Sequence, residues 1–196
     1  MRYGNPSTKS KVRNMIEAGC RKILFFPLYP HYAGATSATA NDQFFRALMD
    51  EKWQPTVRTV EPYFQHPKYI EALAQSIERA YDKLDTRPDI LVCSYHGVPK
   101  RYLLNGDPYH CECHKTTRLL AKRLGLREGE YMTTFQSRFG NEEWLQPYTD
   151  ETMKSLPGQG VKRVHVVCPG SIWSALAGVR FAHSKSARGR FVASDG

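Results

Sequence analysis

The chain has 196 residues, 41% of them hydrophobic and 12% aromatic, and a formal net charge of +9. This globular composition suffices for one full α/β domain or two small lobes, and no run of about eighteen apolar residues is available to cross a membrane. The opening Met1-Arg2-Tyr3-Gly4-Asn5-Pro6 holds no apolar export signal, and four of the five cysteines lie in strand-like or Cys-x-Cys contexts rather than a disulfide framework, so a reducing cytoplasm is expected.

Apolar strands and amphipathic helices alternate along the chain. Ser7 is placed to cap a helix that runs to Gly19. Lys22 to Leu28 reads as a buried strand, followed by an aromatic and small-residue loop to Thr36. A helix is predicted from Asn41 to Lys52 and a short strand from Thr56 to Val60. Pro67 starts a helix with the apolar stripe Tyr69, Leu73, Ile77, Ala80 and Leu84. The β-branched, apolar run Asp89 to Ser94 is a buried strand that continues into Tyr95-His96 and stops at Gly97 and Pro99. A helix from about Lys115 to Leu124, a strand over 131–136, a short helix capped by Thr149 and a strand from Val161 to Val167 complete the order. This order predicts an α/β fold of parallel strands with right-handed crossovers. Glu61-Pro62 and His66-Pro67 interrupt the pattern and mark a lobe boundary. After the turn Cys168-Pro169-Gly170 the chain is rich in Ala, Ser, Gly and Arg, with Asp195 its one acidic residue. It shows neither helix stripe nor strand alternation, so 171–196 is expected to be a disordered tail.

His96 falls at the carboxyl end of a strand, where open α/β sheets bind ligands, and an imidazole there can hold a metal ion or move a proton. In a parallel sheet the loops after the strands emerge on one side. The loops at 27–36, 96–102, 135–145 and 168–170 together suit a flat, apolar ligand bearing carboxylates. Arg101 and Arg138 can pair with such carboxylates bidentately, or make surface or interlobe ion pairs. Cys111-Glu112-Cys113-His114 has ligand types suited to zinc or iron–sulfur chemistry, but no second ligand pair follows at regular spacing, and a loop with a helix cap is the plainer reading. His31, His66, His110, His165 and His183 read as structural or solvent-exposed. Residues 171–196 carry a net +3 and the remaining positive charge is dispersed. That argues against nucleic acid and fits anionic small molecules or peripheral contact with an anionic membrane surface.

Several motifs carry a resemblance: Met1-Arg2-Tyr3-Gly4-Asn5-Pro6-Ser7, Pro27-Leu28-Tyr29-Pro30-His31-Tyr32, Ser94-Tyr95-His96-Gly97-Val98-Pro99-Lys100-Arg101-Tyr102, Gly106-Asp107-Pro108-Tyr109, Phe135-Gln136-Ser137-Arg138-Phe139-Gly140, the stretch from Glu143 to Thr152, and Val166-Val167-Cys168-Pro169-Gly170. In this order and spacing they resemble the ferrochelatase family, bacterial members above all: enzymes that insert ferrous iron into a porphyrin at the end of heme synthesis. The resemblance implies two Rossmann-like lobes with parallel sheets around a porphyrin cleft. Residues 1–62 would then be the remainder of a truncated first lobe and 63–170 the second. It implies protoporphyrin IX and Fe²⁺ as substrates, with no prosthetic group. His96 matches the family's active-site histidine, which binds the incoming metal or accepts a pyrrole proton. Arg2 and Tyr3 match a pair near the metal path, and the loop of Tyr29 and Tyr32 would line the pocket. Family members begin with a strand and a Gly-Thr-Pro-type loop, and their Cys-Pro-Gly turn leads into a helix whose glutamate faces the histidine. Here Ser171-Ile172-Trp173-Ser174-Ala175-Leu176 follows instead. A frameshifted or truncated reading frame is the expectation, with little or no chelatase activity; the alternative is a non-catalytic porphyrin- or metal-binding remnant.

Overall fold

The structure, a computed structural model, describes residues 4–170 and 179–183. The chain divides into two compact units, Met1–Pro62 and Tyr63–Gly196.

In the first unit, Thr8–Glu17 forms α1, capped by Ser7, whose Oγ accepts from the Ser10 amide at 3.0 Å. Lys22–Phe25 (β1) pairs in parallel with Thr56–Thr59 (β2), Ile23 beside Val57. Between them lie a π-helical turn, Gly34–Ala38, and α2, Thr39–Met49. Side chains alternate across a strand, so Ile23 and Phe25 turn together into a core of Val12, Phe44, Ala47 and Leu48, where the Phe25 and Phe44 rings stack at 4.4 Å. The fully buried strand expected over 22–28 is not found. The strand ends at Phe25, and Leu24 and Phe26 are 65% and 47% exposed. The run of small residues from Gly34 to Ala38, expected in a loop, instead has room to wind into the wide turn that precedes α2.

The second unit is built on a four-stranded sheet in the order β4-β3-β5-β6, formed by Tyr131–Gln136, Ile90–His96, Arg163–Val167 and Val179–His183. The first three are parallel, and β6 pairs with β5 antiparallel, so the sheet is mixed where an all-parallel one was expected. The reading of 171–196 as lacking strand also fails over Val179–His183. The open edge of β5 offers a row of backbone donors and acceptors that a strand can satisfy with little help from side-chain pattern. The rest of that tail lies outside the described residues.

Helices cover both faces. Pro67–Tyr81 (α3) starts with proline at its first turn and His66 as cap, its Nδ1 accepting from the Lys68 amide at 3.2 Å. The residues it buries are Ile70, Leu73, Ala74 and Ile77, a stripe rotated slightly from the predicted one. Two helices follow β3. Lys100–Leu104 (α4) was not predicted. Tyr109–Leu124 (α5) starts well before Lys115, because Asp107 Oδ1 accepts from the Tyr109 amide at 3.0 Å and opens the helix there. Thr149–Ser155 (α6) is capped at Tyr148 rather than Thr149. Ile90, Val92 and Val164 pack with Leu156 and Met153 on the α6 side. Tyr95 turns the other way, its hydroxyl 3.0 Å from Thr117 of α5, and His165 meets the Tyr81 ring of α3 at 5.0 Å. Among the described residues no helix is long and apolar enough to cross a membrane.

Burial pushes the His165 imidazole down from 6.5 to about 4. Between those values the unfolded chain binds a proton that the folded chain excludes, so stability falls as pH drops from 6.5 towards 4 and levels off below. At about 1.36 kcal/mol per pKa unit the loss is on the order of 3 kcal/mol. Urea unfolding of the second unit near neutral pH and near pH 4.5 is expected to show that loss (roughly, by the same linkage), and His165→Phe to remove most of it.

Candidate functional site

β3 is buried from Ile90 to Tyr95 and surfaces at His96. The reason lies in α6. Its first residue, Thr149, places Oγ1 2.8 Å from Ser94 Oγ and 2.8 Å from Thr134 Oγ1, and the chain then runs back over Val92 and Ile90 to Leu156. His96 shares a strand face with Ser94, Val92 and Ile90 but lies two residues beyond the helix start, and its side chain is exposed.

The backbone beneath it is pinned. Tyr109 Oη donates to the His96 carbonyl at 2.9 Å, and the Gly97 amide donates to the Gln136 carbonyl at 2.7 Å. The loop then zips onto residues 143–145: Leu145 N donates to Val98 O at 3.0 Å, Lys100 N donates to Glu143 O at 2.8 Å, and Pro99 bridges Trp144. Gly97 is tightly enclosed. A Cβ there would stand 2.9 Å from the Gln136 carbonyl oxygen and 3.2 Å from Cε3 of Trp144.

Gln136 is the register partner of His96, and its Nε2 lies 3.8 Å from Cys168 Sγ. Tyr69 donates its hydroxyl to the Pro169 carbonyl. The carboxyl ends of β4, β3 and β5 therefore bring Gln136, His96 and Cys168 side by side. The chain leaves β3 towards β4 on one side, and β6 lies beyond β5 on the other. The gap between β3 and β5 is thus the topological switch point, the place where open α/β sheets form ligand crevices. Ser137, at φ 68°, is the one non-glycine among the described residues in the left-handed region, a strained backbone directly after Gln136.

Both arginines expected to meet ligand carboxylates are paired within the unit. Arg101 Nε lies 2.8 Å from Glu142; Arg138 pairs with Asp150 at 3.2 Å and Glu151 at 2.9 Å, its guanidinium 3.9 Å over the Tyr148 ring. Tyr29 is exposed and Tyr32 half-buried, both in the first unit. Arg2 and Tyr3 lie outside the described residues. Cys111 and Cys113 sit two apart on α5 and so face different ways. Cys111 is exposed, whereas Cys113 is buried, and burial pushes its thiol well above the ordinary value. Among the described residues no three His, Cys, Asp or Glu side chains gather as a metal site. Sequence reasoning missed the supporting roles of Tyr109, Gln136 and Trp144. Gln136 was findable, as the strand-end residue that in-register pairing sets beside His96.

The ferrochelatase family model matches residues 1–173. The chain belongs to the ferrochelatase family. The ferrochelatase of Rhodobacter capsulatus is 63% identical over 169 residues, which is 86% of this chain and 48% of that protein. That of Allorhizobium ampelinum is 55% identical over 176 residues, 90% of this chain and 51% of its own length, and that of Rhizobium meliloti is 52% identical over 176 residues, 90% and 52%. The chain spans about half the length of the curated relatives it matches. The mixed α/β architecture, with parallel strands at its centre, agrees with the Rossmann-like fold of the ferrochelatase family.

Gly97→Ala is expected to destabilise the second unit by about 1–3 kcal/mol, the usual cost of overpacking, since one of the atoms it strikes is backbone. Urea denaturation checks this, and Gly125→Ala, with open space around its Cβ but a left-handed φ of 68°, serves as a control for backbone strain alone.

Proposed function

We propose that this chain acts on protoporphyrin IX and ferrous iron, with His96 as the residue that serves metal insertion. The observation that carries the reading is an exposed imidazole on an immobilised strand end, at the switch point of a sheet whose chain belongs to a family named for this reaction.

Insertion exchanges two pyrrole N–H protons for Fe²⁺, so the site must bring the ion to the ring and take protons away. A neutral imidazole does either: it ligates Fe²⁺ through its free nitrogen or accepts a pyrrole proton. Both roles need the residue held in place, and the Tyr109 and Gly97 hydrogen bonds fix the backbone that carries it. A crevice wall that bends the macrocycle and points its nitrogens at the ion would favour the transition state over the flat substrate. The porphyrin's two carboxylates can exchange with Glu142, or with Asp150 and Glu151, on Arg101 and Arg138. Exposed ion pairs of this kind contribute at most about 1 kcal/mol, so the exchange costs little. Tyr29, Tyr32, Arg2 and Tyr3 belong to this reading as further porphyrin contacts, the cytoplasm as its location and an anionic membrane surface as a peripheral partner.

A second reading, porphyrin or metal binding without insertion, is favoured by one observation: no acidic residue occurs between Glu151 and Asp195. The resemblance expects a carboxylate soon after the Cys168-Pro169-Gly170 turn, and residues 171–194 supply none.

Visible absorption of protoporphyrin IX titrated with the protein, followed by Fe²⁺ under reducing conditions, separates the two. Conversion to the metalated spectrum, slowed at least about 100-fold by His96→Ala, supports insertion. A spectral shift on binding with no metalation supports the second reading. No shift at all sinks both.

A further inference from the structure

The face of the sheet opposite His96 holds a pair of imidazoles. His110 and His114 stand four residues apart on α5, and at that spacing two helical side chains share a face. Their ring centroids are 4.5 Å apart with the planes at 49°, and both rings lie against Phe135, at 5.7 and 6.1 Å. Phe135 is buried and precedes Gln136 on β4, so it turns to the α5 side whereas Gln136 and His96 turn to the other.

Three properties set this pair apart. Burial lowers both imidazoles below their ordinary value, and the neighbouring His110 and Arg118 lower His114 further. His114 Nε2 is buried without a hydrogen-bond partner, a costly state in a native protein that calls for a water or an ion. The spacing also matches chelation. With metal–nitrogen bonds of about 2.1 Å, two imidazoles at right angles on one ion put their ring centres about 4.5 Å apart.

We propose that His110 and His114 form a two-histidine site for a divalent transition cation of the imidazole-preferring kind, distinct from His96. A pair of imidazole nitrogens at right angles would suit an octahedral or tetragonal ion such as Ni²⁺ or Cu²⁺, with water filling the remaining positions. His110 is half-exposed, which gives the ion its way in. The Phe135 ring holds the two imidazoles from behind, so the pair is ordered before the ion arrives and little side-chain entropy is lost on binding.

Ni²⁺ is the probe. Calorimetric titration of the full chain is expected to show one site that weakens by more than about tenfold in His110→Gln and in His114→Gln, since even loss of an outer-shell partner costs that much. His96→Ala is expected to leave this site in place, so a failed assignment of His96 and a failed assignment of this pair read differently. Ni²⁺ binding that both Gln variants retain, or that vanishes with His96→Ala alone, overturns the proposal. Proton NMR of the Ni²⁺-loaded wild-type chain decides the matter even where a variant does not fold. Two paramagnetically shifted imidazole N–H signals that exchange with solvent support the site, and their absence refutes it.

Discussion

The second unit depends on the double enclosure of β3. Hydrogen-bonded to β4 on one edge and β5 on the other, and packed by α5 on one face and α6 on the opposite face, the strand has no side on which to move. Leu91, Val92, Cys93 and Tyr95 are at most 1% exposed, and each large apolar side chain so buried contributes about 1.5–3 kcal/mol. A close-packed interior of this kind responds to strain in discrete steps rather than by yielding. The His96 imidazole is thus carried at the tip of an element held on every side, with freedom only in its own side chain.

Polar contacts divide the work unequally. The hydroxyls of Ser94, Thr149 and Thr134 form a chain that fixes the start of α6 against β3 and β4, and the Tyr95 hydroxyl meets Thr117 in the interior. Leaving one of these buried groups unpaired costs about 1–3 kcal/mol. The arginine–carboxylate pairs at Arg101 and Arg138 lie at the surface, where solvent and salt weaken them. The interior hydroxyl contacts hold the frame, whereas the surface ion pairs sit on the loops that follow β3 and β4.

Much of this was legible in the residues. The apolar run from Ile90 to Cys93, stopped by Gly97 and Pro99, put His96 at a strand end, and Pro67 and Gly125 marked helix ends where they are found. What escaped were features decided by contacts remote in sequence. The start of α5 turns on the Asp107 side chain and on Tyr109 reaching back to the His96 carbonyl. Once that helix extends to Tyr109, Cys111 and Cys113 face apart and His110 and His114 face together, which separates the two thiols that a Cys-x-Cys spacing suggests as a pair. The two arginines were open between ligand and ion pair because the sequence places acidic residues nearby without saying which way they point.

The half-covered sheet of the first unit has a consequence for how the chain yields to attack. Among the described residues its core cluster gathers around Val12, Ile23, Phe44, Ala47 and Leu48, and β1 presents Leu24 to water, as does Phe26 just beyond it, where a parallel strand ordinarily buries both faces. Small units with so little apolar area removed from solvent open at low free energy. By its own core, then, the stretch ending at Pro62 is the part a protease would trim first, leaving behind the resistant body that carries His96.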